Sequence, residues 1–222
     1  MPSDSINTML VDSVHLAFGQ QTVLQSAYIT ARTGKVTGVL GRNGSGKSCL
    51  FKCILGGIRA QNRFVRFNDE TDTDYGHIGN RVKYLPQNLF MPLRMTLDAA
   101  FKLYGVDYDG LVSFDTKFHN FQRKQFRELS GGEARIAEMY LVLKSDCEFC
   151  ILDEPFSNIA PNCVEKMQSL IHEQKQHKGI IVSDHLYESI IEVSDDLFLL
   201  RDGYTFPVGS RDDLIRLGYI LR

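Results

Sequence analysis

Three glycines punctuate the run Gly41-Arg42-Asn43-Gly44-Ser45-Gly46-Lys47-Ser48, and what flanks that run leaves few folds open. Before it, Lys35-Val36-Thr37-Gly38-Val39-Leu40 is short and apolar, which predicts a buried strand. After it, Lys47 to Leu55 carries the apolar stripe of an opening helix. Strand, glycine turn and helix in that order define a loop whose backbone can approach a ligand closely. At average glycine usage this pattern arises by accident in roughly one per cent of chains this long, so its spacing carries meaning.

The chemistry that suits such a loop is phosphate binding. A triphosphate such as that of ATP gives up well-bound water only to many oriented donors held very near, and glycine backbone allows that approach at Gly41, Gly44 and Gly46. Lys47 supplies a point charge to the terminal phosphates, and Ser48 offers a hydroxyl to Mg²⁺. Arg42, Asn43, Ser45 and Cys49 complete the expected contact set, with no separate chemistry assigned to the cysteine.

A second cluster lies far downstream. Phe149-Cys150-Ile151-Leu152-Asp153-Glu154-Pro155 is an apolar strand pattern ending in adjacent carboxylates. Alone, it reads as an acidic turn after a buried strand. Beside a phosphate loop, Asp153 at the strand end is placed to hold Mg²⁺, and Glu154 just past it to polarise water as general base. Between the two clusters, Leu129-Ser130-Gly131-Gly132-Glu133 precedes the helical run Ala134 to Leu143. Serine followed by glutamate at that spacing is a capping box, and a capped, glycine-rich helix start is also an anion site.

These motifs, with Gln87 in Tyr84-Leu85-Pro86-Gln87 and His185 in Ser183-Asp184-His185, follow one another in the order of the ATP-binding cassette (ABC) family, which the sequence resembles over nearly its whole length. The resemblance implies an ATPase in which two cassettes meet head to tail. Ser130, Gly131 and Gly132 of one would close on the γ-phosphate held by the other. It further implies that Gln87 senses Mg²⁺ and the attacking water, that His185 touches the γ-phosphate, and that Phe18 stacks on adenine. Without it, Phe18 also reads as core and His185 as structural. One departure is Ala160, in Ser157-Asn158-Ile159-Ala160-Pro161, where the family pattern has aspartate. Pro161 suits the first turn of a helix, which then lacks a side-chain cap.

The 222 residues, 43% hydrophobic, suffice for a full core. The expected fold is α/β: a P-loop NTPase with a mainly parallel central sheet, an antiparallel N-terminal β subdomain and an inserted helical subdomain. One domain is expected, with a core lobe over about 1–87 and 144–222 and a helical lobe over about 88–143. Met9 to Phe18 and Phe64 to Phe67 read as the antiparallel strands, and Tyr104 to Asn120 as partly loop. Helices are expected over Cys163 to Gln176 and Leu186 to Val193, and strands over Gly179 to Ser183 and Asp196 to Leu200.

A net charge of −2 offers no general field for nucleic acid. The basic run Arg123 to Arg127 reads as a solvated helix face. With no secretory signal and no apolar stretch long enough to span a bilayer, the chain is expected in the cytoplasm, peripheral on the inner membrane face. The expected partners are a second cassette and a transmembrane permease. The alternative is a soluble ABC ATPase acting in translation, cofactor assembly or DNA handling. Five cysteines do not suggest a disulfide framework; Cys147-x-x-Cys150 has metal-like spacing but no second pair.

Overall fold

The computed structural model describes residues 6–72, 74–157, 159–185 and 187–220. The chain opens with β1 (Thr8–Phe18) and β2 (Gln21–Arg32), then β3 (Val36–Leu40), which leads through the glycine turn into α1 (Lys47–Leu55). β4 (Asn62–Phe67), β5 (Glu70–Thr71), α2 (Tyr75–Arg81) and β6 (Val82–Leu85) follow. The middle of the chain is helical, with α3 (Leu97–Tyr104), α4 (Tyr108–Phe114), a 3₁₀ turn over Thr116–Asn120 and α5 (Gly131–Lys144). Alternation then returns as β7 (Phe149–Asp153), α6 (Pro161–Gln174), β8 (Gly179–Ser183), α7 (Tyr187–Val193), β9 (Asp196–Arg201), β10 (Tyr204–Val208) and α8 (Arg211–Arg216).

Among the described residues ten strands join one sheet in the order β5-β4-β1-β2-β10-β9-β3-β8-β7-β6. From β9 to β6 the pairing is parallel, whereas β1, β2, β4 and β5 form an antiparallel wing. β10 is antiparallel to β9 and meets β2 only at Tyr204↔Ser26. Strand parity divides the core. On β7, Cys150 and Leu152 pack on the side of α5 and α6, while Phe149 and Ile151 face α1 and the antiparallel wing. Asp153 shares the parity of Phe149 and Ile151, so the carboxylate that ends the strand emerges on the glycine-loop side. The strand is apolar throughout because both its faces are covered.

Several expectations shift in detail. Tyr104 to Asn120 is more ordered than its weak pattern foretold. Asp107 caps α4 by accepting from Asp109 N, Tyr108 donates to Phe118 O, and Leu111 and Phe118 are fully buried. α6 starts at Pro161 with Ala160 as an N-cap that contributes no side-chain hydrogen bond, as its sequence foretold. α7 is described from Tyr187; Leu186, expected to open it, and Asn158, between β7 and α6 in sequence, lie outside the described residues.

Candidate functional site

β3 delivers the chain into the turn at Gly41, where a Cβ would stand 2.5 Å from Ser45 Oγ and 2.9 Å from Leu200 O. Gly44 and Gly46 then take positive φ values of 78° and 104°, which other residues reach only with strain. Gly46 is the N-cap of α1 and gives it no side-chain acceptor. The first N–H groups of α1 are therefore free for an anion. Lys47 is buried, and its Nζ donates to Gly41 O at 2.7 Å, folding the side chain back across the loop. Burial pushes its pKa down, against the pull of Glu154, Asp153 and Asp184.

The loop from Asn43 to Cys49 shares a cavity of ≈ 510 Å³ with Val23, Gln87, Glu154 and His185. Ser45 Oγ is buried at this cradle without a hydrogen-bond partner. An unpaired hydroxyl, an uncapped helix start and a lysine in one concavity fit a polyphosphate.

The acidic end of the site is set by β7 and β8. Asp153, fully buried, accepts from Ser183 Oγ at 2.9 Å and from Tyr84 Oη at 3.0 Å. Burial first, and then Asp153, hold the Tyr84 phenol protonated far above its usual range. Glu154 turns the chain with φ of 49°. Gln87 Nε2 donates to Glu154 Oε2 at 2.9 Å, Ser157 Oγ donates to the same oxygen at 3.3 Å, and His185 Nδ1 lies 3.7 Å from it. Asp184 Oδ1, 3.1 Å from His185 Nδ1, orients the ring, and its other oxygen accepts from Phe156 N. A carboxylate, an amide and an imidazole thus converge beside the phosphate cradle.

Ser48, Gln87 and Asp153 line a smaller cavity of ≈ 170 Å³ with Tyr84, Pro86 and Asn88. Among the described residues no group of three or more His, Cys, Asp or Glu could hold a metal unaided. A hydroxyl, one carboxylate and an amide oxygen are hard donors that fit Mg²⁺ only where phosphate oxygens complete its shell.

A family model described as ABC transporter matches residues 24–157, more than half of the chain. The chain belongs to the ABC transporter family. An uncharacterised ABC transporter ATP-binding protein of Rhizobium meliloti is 25% identical over 94% of this chain and 82% of its own. The lipopolysaccharide export system ATP-binding protein of Acidithiobacillus ferridurans is 26% identical over 91% of this chain and 90% of its own. The fold is shared with an ATP-binding subunit of an ABC transporter, at a TM-score of 0.83 and 21% identity over 96% and 95% of the two chains. It is also shared with a bacterial Atm1-family ABC exporter, at a TM-score of 0.82 and 16% identity over 95% of this chain and 40% of the exporter's. This ABC chain is an ATP-binding transporter subunit and an ATPase.

Within this ABC ATPase the expected residues do not all fall in one place. Asn43 to Cys49, Gln87, Glu154 and His185 line the main cavity, Asp153 its smaller neighbour. Gly41 and Arg42 brace the loop from behind, with Arg42 Nη2 donating to Gly218 O. Phe18 lies apart, 54% exposed at the tip of β1. Ser130, Gly131 and Gly132 are also outside the cavity, at the solvent-facing start of α5.

Two contributors escaped sequence reasoning. Val23, on β2, supports the loop, since a Cβ on Gly46 would meet its Cγ1 at 3.0 Å. Arg135, 2% exposed on α5, donates to Pro86 O at 2.6 Å, Asp153 O at 2.7 Å and Glu154 O at 2.9 Å. Three residues on, Glu138 accepts from Phe90 N and Met91 N, both at 2.8 Å. The i, i+3 spacing of two opposite charges inside an apolar helix was the signal available.

Proposed function

We propose that this ABC ATPase acts as one half of a cassette dimer, in which the Ser130 to Gly132 start of α5 of one copy completes the cavity of the other. One observation carries the reading. The phosphate cradle and the hydrolytic residues share a cavity within one chain, whereas the other glycine-rich helix start faces solvent away from it. Lys47 binds the terminal phosphates of ATP and Glu154 accepts the proton of the attacking water, with Gln87 and His185 holding its carboxylate in place. Ser48, Asp153 and Gln87 would hold Mg²⁺, which when bound neutralises charge on the transferring phosphate. Phe18, presented by the β1–β2 hairpin, stacks on adenine.

The load is a transmembrane partner on the inner face of the membrane. Among the described residues no helix is long and apolar enough to cross one. Leu89 and Leu93, 46% and 63% exposed beside Gln87, offer that partner an apolar foothold.

Mixing tests the shared site. Glu154→Gln and Gly131→Asp proteins are each expected to be inactive alone. Mixed equally, they should recover about a quarter of the parental turnover, because half the dimers are mixed and each retains one intact site. A Gly131→Asp protein that hydrolyses ATP at the parental rate removes α5 from the site.

A further inference from the structure

Next to the catalytic strand lies a cluster that nucleotide chemistry does not use. Cys147, half-buried in the turn between α5 and β7, has its Sγ 3.5 Å from Sγ of Cys150 on β7. Lys178, just ahead of β8, is 4% exposed. Its Nζ donates to Ser145 O at 2.6 Å and lies 3.4 Å from Cys147 Sγ. A buried ammonium is costly without an anion. Among the described residues no carboxylate pairs with Lys178; Glu148 is taken by Arg81 and Glu173 by Lys144. The sulfur of Cys147, which can ionise, is the group in reach.

We infer that Cys147 and Cys150 form a peroxide-oxidisable dithiol, in which a Cys147 thiolate held by Lys178 is the attacking group and Cys150 the resolving one. The Cys150 proton has two acceptors, Val142 O at 3.3 Å and the Cys147 sulfur, so the pair can share one proton. That hydrogen bond, helped by Lys178, outweighs burial and lowers the Cys147 thiol to about 6. Cys150, which keeps the proton and is fully buried, is raised well above the thiol range. The other charge facing the pair is Lys83 on β6, in register with Cys150. Two sulfurs without a third ligand among the described residues do not make a metal site.

The chemistry balances with hydrogen peroxide as oxidant. The Cys147 thiolate attacks one oxygen, the O–O bond breaks, and the displaced hydroxide takes a proton to become water. Cys147 is left as a sulfenic acid. The Cys150 sulfur then attacks Cys147 sulfur, the S–O bond breaks, and the Cys150 proton leaves with that hydroxyl as a second water. Two thiols lose two electrons and peroxide gains them. Closing the bond needs the sulfurs to approach from 3.5 Å to about 2.05 Å, a shift the turn at Cys147 can supply while Cys150 stays in the sheet.

The test treats the full chain with hydrogen peroxide, blocks remaining thiols with N-ethylmaleimide, and reads cross-links by mass spectrometry without reduction. A dithiothreitol-reversible Cys147–Cys150 disulfide is expected to form before Cys49, Cys53 or Cys163 is oxidised. In Cys150→Ser protein, dimedone should label residue 147; in Cys147→Ser protein it should label neither position. A weaker base is also a weaker nucleophile, so the informative readout is the pH midpoint of Cys147 alkylation in the unaltered protein, expected well below that of an ordinary thiol. Lys178→Met should raise that midpoint by a unit or more. A Cys147 midpoint above 8 in the unaltered protein, or oxidation of Cys163 ahead of the pair, overturns the proposal.

Discussion

Helices α1 and α5 both start beside glycine, but α1 opens on Gly46, which has no side chain to cap its first N–H groups, while α5 opens on Ser130 inside a complete capping box. Ser130 Oγ accepts from Glu133 N at 3.3 Å, and Glu133 Oε2 accepts from Ser130 N at 2.8 Å. Although burial opposes it, these bonds hold the Glu133 carboxyl below its usual range. The first helix start is thus incomplete without an anion and sits in a concavity. The second is satisfied on its own and stands on the surface, where only the Ser130 hydroxyl and the bare glycine backbone remain to meet another molecule. The proposed reaction uses both ends, so the second would have to come from another copy.

The sharpest way to separate the two ends is to remove the reaction while keeping the cradle. Glu154→Gln should lower turnover by roughly 10²–10⁴ while leaving ATP affinity unchanged, because only the proton acceptor is lost. Single-turnover kinetics beside equilibrium nucleotide binding decides it, and near-parental hydrolysis would move the base to another residue. Lys47→Ala attacks the cradle itself. Loss of a charged donor should weaken ATP binding by roughly 10–100-fold, read by fluorescence titration.

Glycine substitution discriminates the helix starts directly. Gly46→Ala puts a side chain at φ of 104° and its Cβ 3.0 Å from Val23 Cγ1, so a loss of about 1–3 kcal/mol in denaturant unfolding is expected, with loss of ATP binding. Gly131→Ala meets nothing within 4 Å and should instead stabilise by about 0.5 kcal/mol. If the stabilised protein turns over more slowly, Gly131 is kept for the close approach of a partner. The smallest effect belongs to Phe18, which offers a ring face and no hydrogen-bonding edge. GTP should compete with ATP within roughly tenfold, about 1.4 kcal/mol, and Phe18→Ala should weaken both alike in competition binding.

The sequence was most legible where one physical cause dominated. α1 and β8 have the bounds their patterns foretold, because the motif or a doubly covered sheet fixes every position. β2 was missed although it is long, since Gln25, Ser26 and Tyr28 on its exposed side interrupt the apolar run. β10 was hidden by Pro207, which is tolerated because β2 pairs with β10 only at Tyr204. In the site, Asn43 to Cys49, Gln87, Glu154 and His185 were picked out because the proposed phosphate and proton chemistry restricts residue type, and they line one cavity. Val23 and Arg135 act through shape and through backbone carbonyls, which any sequence presents, and only the folded chain shows what they touch.

Arg135 gives the molecule a mechanical property. Its buried guanidinium ties the second turn of α5 to the carbonyls of Pro86, Asp153 and Glu154. Tilting α5 against the sheet would strip a buried cation of its acceptors, a change that typically costs several kcal/mol. Carrying the carbonyls along costs far less. A push on the exposed tip of α5 therefore travels as rotation of a stiff crank, and Glu154 sits on the same shaft.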